Sequence, residues 1–194
     1  MSTYELLYFP MNLGRANITR IMLNSAGATL KSACPAWPAE KENMPYGRLP
    51  VLVETKADGS KFTLCESQAI ERYIARKYGF LPADLEQSAI AESYVDNIVD
   101  SIDLFYKHHY VEKNDASKEA VQKAVKYLIS RHEPILAANP SGHYIGNKLS
   151  YPDIYLYHLY FMLTETGLTD FINESTAPHI TKLAKSLAAL PAVQ

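Results

Sequence analysis

The sequence predicts an α/β half followed by an all-α half, and three observations predict it. Strand and helix patterns alternate over the first eighty residues. Strand signals vanish after Phe80-Leu81-Pro82. Four stretches of helical periodicity fill the rest. A chain of 194 residues is long enough for two small domains with cores of their own.

Residues 4–9, Tyr4-Glu5-Leu6-Leu7-Tyr8-Phe9, read as a strand, with Pro10 and Gly14 making the turn that follows. Residues 15–26 carry Ile18, Ile21 and Met22 at helical spacing and stop at Gly27. Residues 28–34 suit a second strand. Pro35, Pro38, Pro45 and Gly47 make residues 35–48 a loop with room for one helical turn. Pro50 heads a short buried strand, Val51-Leu52-Val53; Asp58-Gly59 is a hairpin signal and Lys61-Phe62-Thr63-Leu64 the returning strand. Residues 66–78 read as a helix, with Ile70 and Ile74 four apart, ending at Gly79. A β-α-β order followed by β-β-α suits a small mixed sheet flanked by helices. The first domain is therefore drawn over residues 1–79, with 80–82 as linker.

The second domain, 83–194, begins with a helical stretch over 83–112 carrying Tyr94, Ile98, Ile102 and Phe105. Residues 116–138 repeat the pattern with Val121, Val125, Leu128 and Ile129, and residues 150–166 and 176–189 supply two more helices. Ser150-Tyr151-Pro152-Asp153 has the spacing of a capping box, with Leu149 and Ile154 placed for the hydrophobic staple. This box reads as a folding signal.

Bulk composition excludes several function classes. Hydrophobic residues make up 47% and charged residues 21%, and the formal charge is −2, with no basic stripe to hold nucleic acid. The N-terminus lacks a basic start and an apolar signal core, and no apolar run approaches the roughly 18 residues of a membrane span. A reducing cytoplasm is the default expectation. Cys34 and Cys65 form no Cys-x-x-Cys, which argues against a dithiol redox enzyme and a zinc site. The six histidines show no metal spacing, so no metal is expected.

Read residue by residue, the candidates have ordinary readings as well. Tyr8 is one of 14 tyrosines at a strand end, Pro50 suits a plain trans proline, and Ser67 suits a helix cap. Trp37 and Lys41 lie four apart in a loop, where a half-buried tryptophan and a surface lysine are unremarkable. Glu92, Asp96, Asp100 and Asp103 form an acidic stripe that a solvated helix face explains. Cys65 reads as a buried, inert thiol.

Six motifs in order give these residues another reading. Leu7-Tyr8-Phe9, Gly14-Arg15-Ala16, Ala36-Trp37-Pro38 with Lys41, Tyr46-Gly47-Arg48-Leu49-Pro50, Glu66-Ser67-Gln68-Ala69-Ile70 and the Ser150–Asp153 box span nearly the whole chain. Together they resemble the cytosolic glutathione transferases, most closely the sigma class, which includes a glutathione-dependent prostaglandin D synthase. The resemblance implies a thioredoxin-like N-terminal domain followed by an all-helical C-terminal domain. It also implies a homodimer that takes glutathione as co-substrate and joins its thiolate to small hydrophobic electrophiles.

In that reading Tyr8 stabilises the thiolate. A free thiol is only about 3% ionised at pH 7, and lowering its pKa by two units takes about 2.7 kcal/mol. One charge-assisted hydrogen bond supplies roughly 1.5–3 kcal/mol, so a single phenol is sufficient. Arg15 adds a cation beside the thiol. The turn from Tyr8 to Arg15 is one residue longer than in close sigma-class relatives, and Asn17 stands where glutamate is usual.

The resemblance further implies a cis bond at Pro50, with the backbone of Leu49 pairing with the tripeptide. Ser67 and the first amides of its helix take the γ-glutamyl carboxylate, and Glu66 takes the ammonium group. Trp37 and Lys41 serve the glycyl carboxylate. Asp100 or Asp103 reaches the partner subunit's glutathione, since Leu104 holds the usual aspartate position. Tyr46 is the aromatic key to the partner, as against a cover for its own sheet. Met11, Leu13, Tyr106 and Tyr110 line the second-substrate pocket. Relatives continue past a segment like Leu190-Pro191-Ala192-Val193, so either a more open pocket or a missing end is expected. Three alternatives stand beside conjugation: a glutathione-dependent isomerase of prostanoid type, a ligand carrier or crystallin-like protein without activity, and a thiol-disulfide reductase. The reductase is disfavoured by the absence of cysteine in the first turn.

Overall fold

The computed structural model describes residues 2–193. The chain falls into two compact units, one closing at Gly79 and the other opening at Phe80.

The first unit is built as β1 (Thr3–Leu7), α1 (Asn17–Ser25), β2 (Thr29–Ala33), a 3-10 turn (Lys41–Asn43), β3 (Val51–Thr55), β4 (Lys61–Cys65) and α2 (Ser67–Tyr78). The sheet order is β2-β1-β3-β4, with β1 and β2 parallel and the other pairs antiparallel, the thioredoxin-like arrangement. Alternation sets the core: Tyr4, Leu6 and Leu52 of the sheet are buried, as are Ile21, Met22, Ile70 and Ile74 of the helices. Glu54 breaks the apolar pattern of β3. It is fully buried, and it accepts hydrogen bonds from Ser2 Oγ (2.6 Å), Tyr73 Oη (2.5 Å) and Lys77 Nζ, tying β3 to α2.

Three boundaries differ from the sequence reading. β1 ends at Leu7, so Tyr8 lies just beyond the ladder, although its N–H still donates to Ala33 O at 3.0 Å. α1 begins at Asn17 and not at residue 15, because residues 14–16 form a turn closed by Asn17 N–H to Gly14 O (3.1 Å). α2 begins at Ser67, because Glu66 has φ 68° and ψ 115°, outside the helical region.

The second unit comprises α3 (Leu85–Tyr106), a π-helical segment (Lys107–Glu112), α4 (Asp115–Ala138), α5 (Tyr151–Glu165), a 3-10 turn (Thr169–Phe171) and α6 (Pro178–Ala188). The stretch expected as one helix over 83–112 is regular only to Tyr106. Beyond it the turn widens, with the His109 ring stacked on Phe105 at 5.3 Å. α5 is the centre of this unit: every residue from Tyr151 to Leu159 is buried, and α3 and α6 pack on it. Its capping box forms from both sides, with Ser150 N–H donating to Asp153 Oδ2 at 2.8 Å. Phe80 and Leu81 are buried, and the Phe80 carbonyl accepts from Tyr151 N–H at 2.9 Å. Among the described residues no helix is long and apolar enough to cross a membrane.

Candidate functional site

A cavity of about 490 Å³ opens at the head of α2, lined by Arg15, Arg48, Leu49, Pro50, Cys65, Glu66, Ser67, Gln68, Ala69 and Arg72. Its size falls in the range of small-ligand sites. Local structure explains why these residues converge. β3 and β4 end side by side, with Val51 opposite Cys65, so the residues flanking each strand end meet at one corner of the sheet. Pro50 leads into β3 through a cis bond, and the Trp37–Pro38 bond in the preceding loop is cis as well. Ser67 then opens α2, so the free N–H groups of its first turn face that corner.

Electrostatics favour an anion here. Three guanidinium groups, Arg15, Arg48 and Arg72, face one carboxylate, Glu66. The N-terminus of a 12-residue helix adds its own positive partial charge. Glu66 holds a positive φ, which costs a non-glycine residue about 1–3 kcal/mol and is typical of functional sites. Ser67 does not act as the cap expected from the sequence: it is the first helical residue, and Glu66 stands at the cap position without a side-chain bond. Burial, and then the Glu66 carboxylate beside it, push the Cys65 thiol up, so it stays protonated at neutral pH.

Tyr8, expected at the centre of the site, is not part of this lining and connects to the cavity through Arg15. The backbone N–H of Arg15 donates to Tyr8 Oη at 3.2 Å. The Tyr8 ring meets Phe9 edge-to-face at 5.5 Å, and Phe9 meets Trp37 likewise at 5.7 Å. Arg20 holds the turn between Tyr8 and α1, donating to Met11 O (2.9 Å) and Phe9 O (3.4 Å). Burial pulls Arg20 below its ordinary value, while attraction to Tyr8 pulls it back.

Of the residues singled out in the sequence, Arg15, Leu49, Pro50, Glu66 and Ser67 line the cavity. Trp37 and Lys41 lie outside its lining. They sit in a run of turns from 36 to 44, with Glu40 N–H donating to Ala36 O and Lys41 N–H to Pro38 O. The Lys41 stem runs beside Gly47, next to Arg48 of the lining. Tyr46 is 67% exposed. Met11 and Leu13 belong to the turn after Tyr8.

In the helical unit Asp100 and Asp103 are exposed on α3. Tyr106 and Tyr110 come together there, their rings 5.9 Å apart, and Tyr106 Oη lies 3.3 Å from His158 Nε2. Among the described residues no group of three or more His, Cys, Asp or Glu is placed to hold a metal ion.

Sequence reasoning missed Arg72 as lining, and gave no site role to Arg48, Cys65, Gln68 and Ala69 although it quoted them. The four-residue spacing between Gln68, in the first turn of α2, and Arg72 was the available signal; Arg72 Nη1 donates to Gln68 Oε1 at 3.4 Å.

Comparison with known proteins agrees with the fold. The family described as "Glutathione S-transferase, C-terminal domain" matches residues 99–194. The chain is 31% identical over 185 residues to glutathione S-transferase 4 of Caenorhabditis elegans, covering 90% of this chain and 86% of that protein. It is 28% identical over 204 residues to hematopoietic prostaglandin D synthase of Gallus gallus, covering 100% of this chain and 94% of that one. Among solved structures, a glutathione S-transferase of the hookworm Necator americanus, described as monomeric, superposes with a TM-score of 0.81 at 27% identity, covering 98% of this chain and 94% of that one.

Proposed function

The chain belongs to the glutathione S-transferase family, and from that premise we propose that it joins the thiolate of reduced glutathione to small hydrophobic electrophiles, with the Tyr8 hydroxyl stabilising the thiolate. The observation that carries this reading is the cavity at the head of α2. A tripeptide with two carboxylates and one ammonium group suits a lining of three guanidinium groups and one carboxylate. The γ-glutamyl carboxylate lies at Ser67 and the first amides of α2, and Glu66 accepts from the ammonium group. The backbone of Leu49 pairs with the peptide. Trp37 and Lys41 serve the glycyl end, and Arg15 adds a cation near the sulfur.

The chemistry balances simply. The thiol proton leaves to solvent, the sulfur lone pair forms a C–S bond, and a halide leaves an aryl halide with the electrons of the broken bond. The protein's contribution is stabilisation of an anion, plus proximity. Residues 1–79 are read as the glutathione-binding domain, 80–82 as the linker, and residues 83–194 as the helical domain that contributes Tyr106 and Tyr110 to binding of the second substrate. The chain is read as a cytoplasmic homodimer of the sigma class, with Tyr46 as the key to the partner and Asp100 or Asp103 reaching its bound ammonium group. Its likeness in motifs to that class supports this finer reading.

The test is conjugation of glutathione to a chromogenic aryl halide near neutral pH, with Tyr8→Phe as the comparison. Loss of one charge-assisted hydrogen bond is expected to lower kcat by about ten- to hundredfold. Glutathione affinity, read from the fluorescence of Trp37, the single tryptophan, is expected to be retained. Equal turnover in both proteins overturns the role of Tyr8; absence of glutathione binding overturns the site. A second reading, a glutathione-dependent isomerase, is favoured by the full-length match to a prostaglandin D synthase. It is separated by stoichiometry: isomerisation of a prostanoid endoperoxide leaves the glutathione concentration unchanged.

A further inference from the structure

The chain has eight glycines, and seven of them hold a positive φ. Those seven are glycines because their backbone requires it. Gly14 is the exception: its φ is not in the left-handed region, and residue 14 accommodates an L side chain as far as the backbone is concerned. Something else keeps it bare. A Cβ at residue 14 would stand 2.5 Å from Tyr8 Cε1, 2.8 Å from Tyr8 Oη and 3.1 Å from Met11 Sδ. The next residue, Arg15, places its backbone N–H 3.2 Å from the same Oη.

We propose that Gly14 is a positioning residue for the Tyr8 hydroxyl: its missing side chain lets the phenol edge lie on the backbone, where the Arg15 N–H fixes the oxygen and leaves its proton to point away. This deepens the reading of Tyr8 as the thiolate-stabilising group and rests on it. A phenol oxygen that accepts from a backbone amide cannot use its own proton in that bond, so the proton is free for a sulfur anion. A hydrogen bond accepted by the oxygen also strengthens the one it donates. The amide sits in a turn held on two sides. Gly14 O accepts from Asn17 N–H at the start of α1, and Arg20 grips the carbonyls of Phe9 and Met11. By these contacts the turn holds the hydroxyl against the backbone of Arg15, whose residue lines the cavity.

The side chain that must yield to a Cβ at residue 14 is the far end of the Tyr8 ring, not the backbone. Gly14→Ala is therefore expected to fold and to displace the hydroxyl by about 1 Å, enough to cost up to a hundredfold in rate. Three readouts test it. In ligand-free protein, the Cζ NMR signal of Tyr8, assigned by its loss in Tyr8→Phe, is expected to shift in Gly14→Ala. With glutathione bound, the ultraviolet absorbance of the thiolate is expected to titrate about one pH unit higher in Gly14→Ala than in the native protein. Turnover of the aryl halide is expected to fall about tenfold or more in kcat with little change in KM for glutathione. In the Tyr8→Phe background the same substitution is expected to change kcat less than about twofold, because the group it positions is already gone.

An unmoved Tyr8 signal overturns the proposal. So does an equal loss of kcat in both backgrounds. If the signal moves while Tyr8→Phe leaves catalysis intact, the positioning stands and the catalytic reading of Tyr8 falls. Should Gly14→Ala fail to fold, Arg20→Lys serves instead. It keeps the charge but cannot hold both carbonyls, and the same shift in thiolate titration is expected at smaller size; no shift there overturns the proposal.

Discussion

At the scale of single residues, the cavity's charge makes a prediction of its own. Arg48 and Arg72 line it without a place in the chemistry, so their contribution is to binding. Arg48→Ala and Arg72→Ala are each expected to raise KM for glutathione about three- to tenfold with kcat nearly unchanged, the pattern of uniform binding. The loss is expected to shrink at high salt, because exposed charges are screened. Steady-state kinetics at two ionic strengths check this; a fall in kcat at constant KM would move these arginines into the reaction itself. Ser67 and Glu66 were legible in the sequence because a helix start is written locally. That Ser67 stands inside the helix was not, since it depends on the positive φ of Glu66.

At the scale of elements, α5 organises the helical unit, and its start is the most densely bonded point there. Asp153 is fully buried and accepts from Ser150 N–H, Ser150 Oγ, Tyr144 N–H and His143 Nδ1, all at 2.8–2.9 Å. Ser150→Ala is expected to cost about 1–2 kcal/mol, the usual loss of a cap. Asp153→Ala strands several buried donors and is expected to cost about 3 kcal/mol or more. Urea unfolding measures both, and similar values for the two would mean that the long-range bonds to residues 143 and 144 contribute little. The box itself could be read in the sequence. Its reach to Tyr144 and His143 could not, nor could the cap on α6. There the Glu133 carboxylate of α4 accepts from His179 N–H at 2.6 Å and Ile180 N–H at 3.1 Å, across 46 and 47 residues of sequence.

At the scale of the whole molecule, stability is tied to pH through histidines of the helical unit, with His132, His158 and His143 chief among them; burial also lowers His109, in the same direction as His132 and His158. Burial pushes His132 down to about 4 and His158 down to about 3. Both are neutral in the fold, and unfolded they bind a proton below about pH 6.5. Their contribution is therefore complete above that value and is lost as pH falls toward the folded values. His143 runs the other way. Its hydrogen bond to Asp153 raises it, so its contribution is complete below about pH 6.5 and is lost as pH climbs through the raised value. Stability is expected to peak near neutrality. Between about pH 6 and 5 unfolding is expected to take up roughly two protons, a slope of about 2.7 kcal/mol per pH unit. His158→Gln is expected to be less stable throughout and to show about half that slope. An unchanged slope would show that His158 is already protonated in the fold.

The sequence by itself determined the class of each half, the change of character at residue 80, the helix read over 150–166 with its cap, and the order of the site motifs. Each of these is carried by neighbours within a few residues, through periodicity, turn residues or a capping pair, so a linear reading reaches them. Only the tertiary structure decided that Arg72 and Arg48 share a cavity with Ser67, and that buried Glu54 binds Lys77. It alone decided that Gly14 is bare because a phenol lies on it. Those facts depend on how close separate segments come in space, within a few tenths of an ångström, and no spacing along the chain encodes that distance.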